Sequence, residues 1–151
     1  MPQVEQTIDI QAPPAAVFAL IANQPERLPE WWSAFELQQR VTPPPTAIGS
    51  ISRYVYNMMG IRIKGEHQVL QMDAEQHLVV RTISGIDSMF DFSFTPLDGA
   101  GTRLTVRVAY ALPGSMLGQR LNRHTIEQKN ERDLEQGLAR LKVLIEQGIR
   151  P

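Results

Sequence analysis

The side chains best suited to move protons in this 151-residue chain are three histidines, at positions 67, 77 and 124, with carboxylates and tyrosines around them. His67 shares its alternation parity with Ile61, Ile63 and Val69 and so points to the apolar side of its strand. A neutral imidazole there could act as a general base or as a hydrogen-bond anchor. The plainer reading is a structural histidine satisfied by a neighbour. His77 falls at a turn and is expected to face water. Near the C-terminal helical stretch stand His124, Glu127 and Arg123; the last two are spaced to pair across one helical turn.

No histidine–carboxylate spacing resembles a metal motif, so neither a metal site nor a cofactor is expected. Cysteine is absent, which removes disulfides, thiolate metal sites and cysteine nucleophiles. The DGAG stretch at 98–101 reads as a tight turn: a phosphate loop would need a strand-to-helix context and a Gly-Lys pair.

Aromatic residues are the other candidates. Trp31 and Trp32 suit a ligand gate, with an apolar body and one N–H, and equally suit core packing. Tyr54 and Tyr56 lie on a strand whose faces the pattern does not assign, because Ile51 and Val55 have the opposite parity. Phe90, Phe92 and Phe94 alternate with Met89, Asp91, Ser93 and Thr95, giving one buried face. Met58 and Met59, before Gly60, sit at a hairpin tip and could form a soft lip.

These residues need elements to hold them. Residues 4–10 alternate as a half-buried strand. Pro13 and Pro14 suit the start of a helix over 15–22, and Pro25 and Pro29 allow at most a short second helix ending at Trp31 and Trp32. Strand-like runs follow at 35–41, 49–57, 61–72, 77–84, 88–96 and 102–112, separated by turn signals. The facing of the 77–84 run, like that of 49–57, is left open. Short turns imply antiparallel neighbours, so the class is α+β with seven strands.

Residues 115–147, if continuous, form a helix about 50 Å long. Leu134, Leu138, Leu141 and Ile145 fall in one arc and define its core face. Continued toward the helix start, that line meets Glu127, Arg123, Arg120 and Met116, with His124 and Glu131 on one margin and Asn130 on the other. Either this polar half lines a cavity mouth, or it kinks near Gly118 and is solvated, as Leu117 and Leu121 suggest.

At 42% hydrophobic and 21% charged, the composition is that of a globular protein. A net charge of −1 supplies no field to attract nucleic acid or an acidic membrane. The opening MPQVEQTIDI has no signal-peptide pattern and no window suits a membrane span, so a cytoplasmic location without an integral membrane segment is expected.

The segments IDIQAPPAAVFALIANQPERLPEWW, IGSISRYVY, IKGEHQVLQMDAEQHLVVRT and FDFSFTPLDGAGTRLTVRVAYALPG, with the ending LARLKVLIE, together resemble the START-like (SRPBCC) superfamily. The nearest likeness is to its bacterial polyketide cyclase/dehydrase and lipid-transport group, over essentially the whole chain as one domain, 1–151. The resemblance implies a helix-grip fold, with two short helices after the first strand and a curved antiparallel sheet around a long C-terminal helix. Members of the superfamily bind lipids, sterols, quinones or plant metabolites and some cyclise polyketides. They share no catalytic set, so the resemblance assigns no catalytic residue.

Dimensions make such a fold hollow: seven strands span roughly 30 Å, and one helix about 10–12 Å wide cannot fill the curl. The expected lining is Trp32, Tyr54, Tyr56, His67, Phe90, Phe92, Met116, Arg120, His124 and Glu127. The leading function is binding or transport of a small hydrophobic ligand (lipid, quinone or polyketide-like). The alternatives are a polyketide cyclase or dehydratase, and an interaction module using the exposed part of the terminal helix. A homodimer stays open. A pocket under about 150 Å³ would count against both carriage and catalysis, being far below ordinary ligand sites.

Overall fold

Alternation of apolar and polar residues, punctuated by turns, gives the strands β1 (Gln3–Ile10), β2 (Phe35–Arg40), β3 (Ile51–Met58), β4 (Ile61–Asp73), β5 (His77–Ser84), β6 (Ser88–Pro96) and β7 (Thr102–Tyr110). Between β1 and β2 lie α1 (Pro14–Asn23), a 3-10 turn (Pro25–Arg27) and α2 (Leu28–Trp31); α3 (Arg123–Ile149) follows β7. The computed structural model describes residues 3–111 and 123–149.

All seven strands join one antiparallel sheet in the order β1-β7-β6-β5-β4-β3-β2. The two short helices therefore carry the chain from one edge of the sheet to the other, and the meander β2 to β7 brings it back beside β1. Register shifts bend the sheet at Phe35/Leu37, Glu66/His67 and Val69/Gln71. Each adds a residue to one strand and increases local twist. Two of the three lie between β4 and β5, with Leu70 extra on the 13-residue β4 and Ile83 extra on β5.

The expected α+β helix-grip architecture is the one observed, with α3 laid against β1 and α2. Pro13 and Pro14 stand at the N-cap and first turn of α1, which buries Val17, Phe18, Leu20 and Ile21. The hairpin tip Met59–Gly60 has positive φ at both residues, 52° and 94°, the two-residue turn that matches strand twist. Close approach of α2 to α3 needs Gly137, where a Cβ would lie 3.0 Å from the Trp31 carbonyl oxygen.

The core arc of α3 is confirmed: Leu134, Leu138, Leu141 and Ile145 are all buried. Its continuation requires a correction. The buried line passes through Asn130 to Ile126, which is wholly buried, while Arg123 and His124 are exposed and Glu127 is half-buried. Successive four-residue steps, 134 to 130 to 126, advance slightly more than a full turn; a line mixing three- and four-residue steps lands one residue away. Met116 and Arg120, with residues 115–122 generally, lie outside the described residues.

Candidate functional site

Inward-facing residues of the sheet enclose space that α2 and α3 close. On β3 the unassigned parity is settled: Tyr54 and Met58 are buried and Tyr56 half-buried on the inner face. β4 contributes His67, β6 Phe90 and Phe92, β7 Val108 and Tyr110, and α3 Asn130 and Leu134. The space is divided into three adjoining cavities of about 50, 70 and 50 Å³. Each is well short of the several hundred Å³ usual for ligand sites and below the bound of about 150 Å³ set against carriage and catalysis, so none of them as it stands takes a ligand. The open volume is smaller than strand and helix dimensions alone imply, because aromatic rings stand inside the curl.

Four rings divide the first cavity from the second. Trp32 touches Phe35 and Phe90, at 5.2 and 5.8 Å between centroids, and His67 touches the same two at 5.6 and 5.2 Å. Trp32 follows α2 directly and Phe35 opens β2, tied to it by a Phe35 N–H to Trp32 carbonyl bond of 3.0 Å. All four rings line both cavities, and His67 alone lines all three. The partition is therefore made of side chains, whose rotation could merge the spaces without moving the sheet.

His67 is held from every side. It sits beside the first shift between β4 and β5, opposite Thr82, where the extra residue is Ile83 of β5. Its ring stacks on Tyr54 at 4.1 Å and 10°. Tyr54 in turn donates to the Ser84 carbonyl at 3.1 Å and accepts from the Ile86 N–H at 3.2 Å. Gly65 makes this crossing possible, because a Cβ there would collide with the Ser84 carbonyl and lie 2.7 Å from the Tyr54 hydroxyl.

Burial pushes the His67 pKa down to about 3, so the imidazole is neutral at physiological pH. Gln38 Nε2 lies 3.2 Å from Nδ1. With the amide donating to Nδ1, the ring proton resides on Nε2, which has no partner. Trp32 Nε1 and Gln38 Oε1 are likewise buried without partners. Unpaired buried donors and acceptors cost about 1–3 kcal/mol each, and these three lie in the walls of the same cavities. The Tyr110 hydroxyl, in the wall of the first cavity, stands beside Asn130; burial raises its pKa, as it does those of Tyr54 and Tyr56.

The first cavity ends at the polar half of α3. Tyr56 donates to Asn130 Oδ1 at 2.7 Å, and Lys129 pairs with the buried Asp133 at 2.6 Å. Of the expected lining, Trp32, Tyr54, Tyr56, His67, Phe90 and Phe92 do border the cavities; His124 and Glu127 border none of them. Sequence reasoning missed Phe35 and Gln38. Phe35 had a signal, as an aromatic opening a strand just after the tryptophan pair. Gln38 had none, because only the fold brings it to His67.

Among the described residues no cluster of three or more metal-ligating side chains occurs, and no helix is long and apolar enough to cross a membrane. A curved sheet gripping a terminal helix over an apolar interior defines the START-like class. The sequence matches the family described as polyketide cyclase / dehydrase and lipid transport over residues 1–146, and the chain belongs to it. Its fold is that of a family of hydrophobic-ligand cavities.

Among solved structures, the protein TTHA0849 from Thermus thermophilus is similar at 20% identity and TM-score 0.80, covering 99% of this chain and 100% of that one. A START superfamily protein from Mycobacterium smegmatis follows at 16% and 0.78, covering 96% and 97%. The ZhuI aromatase/cyclase from Streptomyces sp. R1128 is also similar at 16% and 0.78, covering 98% and 95%. At such identities the likeness concerns the fold. A search of curated protein sequences found no match.

Proposed function

We propose that this protein binds and carries a small hydrophobic molecule of the lipid, quinone or polyketide-like kind, with an acceptor oxygen held by the N–H groups of His67 and Trp32. One observation carries this reading: two buried N–H donors without partners belong to Trp32 and His67, whose rings stand between two apolar cavities. Since each cavity is small, ligand entry requires the rings of Phe35 and Phe90 to turn aside and join the first two spaces. The protein donors would then be satisfied by the ligand, which offsets part of the cost of opening.

Carriage is favoured over cyclisation or dehydration because no good proton acceptor lines the cavities among the described residues. A general base works best with a pKa near the working pH, and His67 at about 3 is far below it. His124 is exposed, and burial keeps the three cavity tyrosines protonated. Native mass spectrometry of protein purified from its own host tests the reading. The expected result is a reproducible bound mass that extracts into organic solvent. Repeated preparations that carry nothing, together with no binding of any hydrophobic probe, would overturn it.

A further inference from the structure

The third cavity differs in kind from the other two. Gln38, Arg40, Thr46, Ser50, Ser52 and His67 make up half of its wall. Arg40 is the only charged side chain, among the described residues, that lines any of the three cavities. Its side chain is 15% exposed. Nε binds Glu26 at 2.9 Å, and Nη2 binds the Asn23 carbonyl at 2.7 Å and Thr46 Oγ1 at 2.9 Å. Nη1 is uncommitted. Glu26, the only anion on this guanidinium, is 47% exposed and stands at the rim.

The second and third cavities share the walls formed by Ile21, Pro25, Gln38, His67, Leu78 and Val80. The series therefore runs from an aromatic space, through an apolar one, to a cationic, hydroxyl-lined end. The third cavity therefore ends at the rim in a guanidinium whose one anion, Glu26, is half exposed and so replaceable by an entering anion.

We propose, resting on the carrier reading above, that the ligand is an amphipathic carboxylic acid whose carboxylate is received by Arg40 in the third cavity while its apolar body lies across the aromatic partition. The free Nη1 donates to one carboxylate oxygen and the Thr46 and Ser52 hydroxyls to the other. Glu26 turns outward to water, which its exposure permits. Gln38 keeps its Nε2 on His67 Nδ1, so the His67 Nε2–H stays available to a second oxygen of the ligand.

The test uses a matched pair of probes, 4-phenylbutyrate and 4-phenylbutanol, titrated at neutral pH and followed by the fluorescence of Trp31 and Trp32, the chain's two tryptophans. A charged hydrogen-bonded head group should give the acid about a tenfold tighter Kd. R40M should abolish that preference while leaving the alcohol bound. Because Arg40 also ties two neighbouring segments together, E26Q supplies an independent arm. Removing the competing carboxylate at an exposed position should tighten the acid a few-fold and leave the alcohol unchanged. Equal affinities for acid and alcohol, or an acid affinity unmoved by E26Q, would overturn the head-group assignment and leave the carrier reading intact. Failure of both probes, with no other hydrophobic probe bound, would instead remove the carrier reading itself.

Discussion

Replacing Gln38 and His67 together, as Gln38→Leu/His67→Phe, should make this protein more stable and unable to hold its ligand. The pair forms one hydrogen bond of 3.2 Å and leaves Gln38 Oε1 and His67 Nε2 unsatisfied. Losing the bond costs about 0.5–1.5 kcal/mol, whereas each orphaned group recovers about 1–3 kcal/mol. The net gain is about 0.5–5.5 kcal/mol, and the adjoining cavities accommodate the slightly larger ring. For a chain of this length that raises Tm by about 2–16 °C. Either single substitution leaves its partner with both ends unpaired, so the singles should be neutral or destabilising and the cycle strongly non-additive.

Acid sharpens the same prediction. Below the ordinary histidine pKa of 6.5 the unfolded chain takes up a proton that folded His67 refuses until about pH 3. In that window the unfolded state binds more protons, so stability falls with falling pH by up to about 1.4 kcal/mol per unit. The variant has no such group, and its advantage should widen by about 2–3 kcal/mol between pH 6.5 and 4.5. Urea denaturation at several pH values measures this. A double variant less stable than the parent at neutral pH, or a gap that stays constant with pH, would refute the reasoning about orphaned groups.

Other substitutions probe the partition and its supports. Phe35→Ala should cost about 3–5 kcal/mol and join the first two cavities, so that denaturation shows a loss while bulkier fluorescent probes bind better than to the parent. Gly65→Ala places a Cβ against the Ser84 carbonyl and the Tyr54 hydroxyl; a loss of at least about 1–3 kcal/mol from overpacking and an altered near-ultraviolet tyrosine signal are expected. Gly137→Ala sets a helix-propensity gain of about 1 kcal/mol against a 3.0 Å contact with the Trp31 backbone. Overpacking should win by about 1 kcal/mol, with a shifted tryptophan emission.

Much of this architecture was legible because local patterning and burial agree. In β6 and β7 every second residue from Phe90 to Phe94 and from Leu104 to Tyr110 is buried, as the alternation requires. Legibility failed where both faces carry apolar residues. On β3, Ile51 and Val55 are half-buried on the outer side, so alternation could not orient Tyr54 and Tyr56. On α3, Ile126 was a readable anchor, two four-residue steps before Leu134, but the polar residues around it masked the face.

The site was harder to read than the fold. Trp32, His67 and Phe90 were visible as inward-facing or amphipathic residues. Their division of the interior was not, since it depends on Phe35 meeting Phe90 across the curl. Arg40 and Gln38 look like ordinary strand polar residues until pairing with β3 turns Gln38 toward His67.

Two N–H groups waiting for a ligand are the centre of the carrier reading, and nitrogen-15 NMR observes both directly. With 4-phenylbutanol added to saturation, the Trp32 indole N–H resonance should move downfield, and the His67 ring nitrogens should report a new hydrogen bond at Nε2–H with no change of tautomer. If the probe binds while both resonances stay where they were and the perturbed residues map to the outer surface, the cavity is not the binding site and the carrier reading fails.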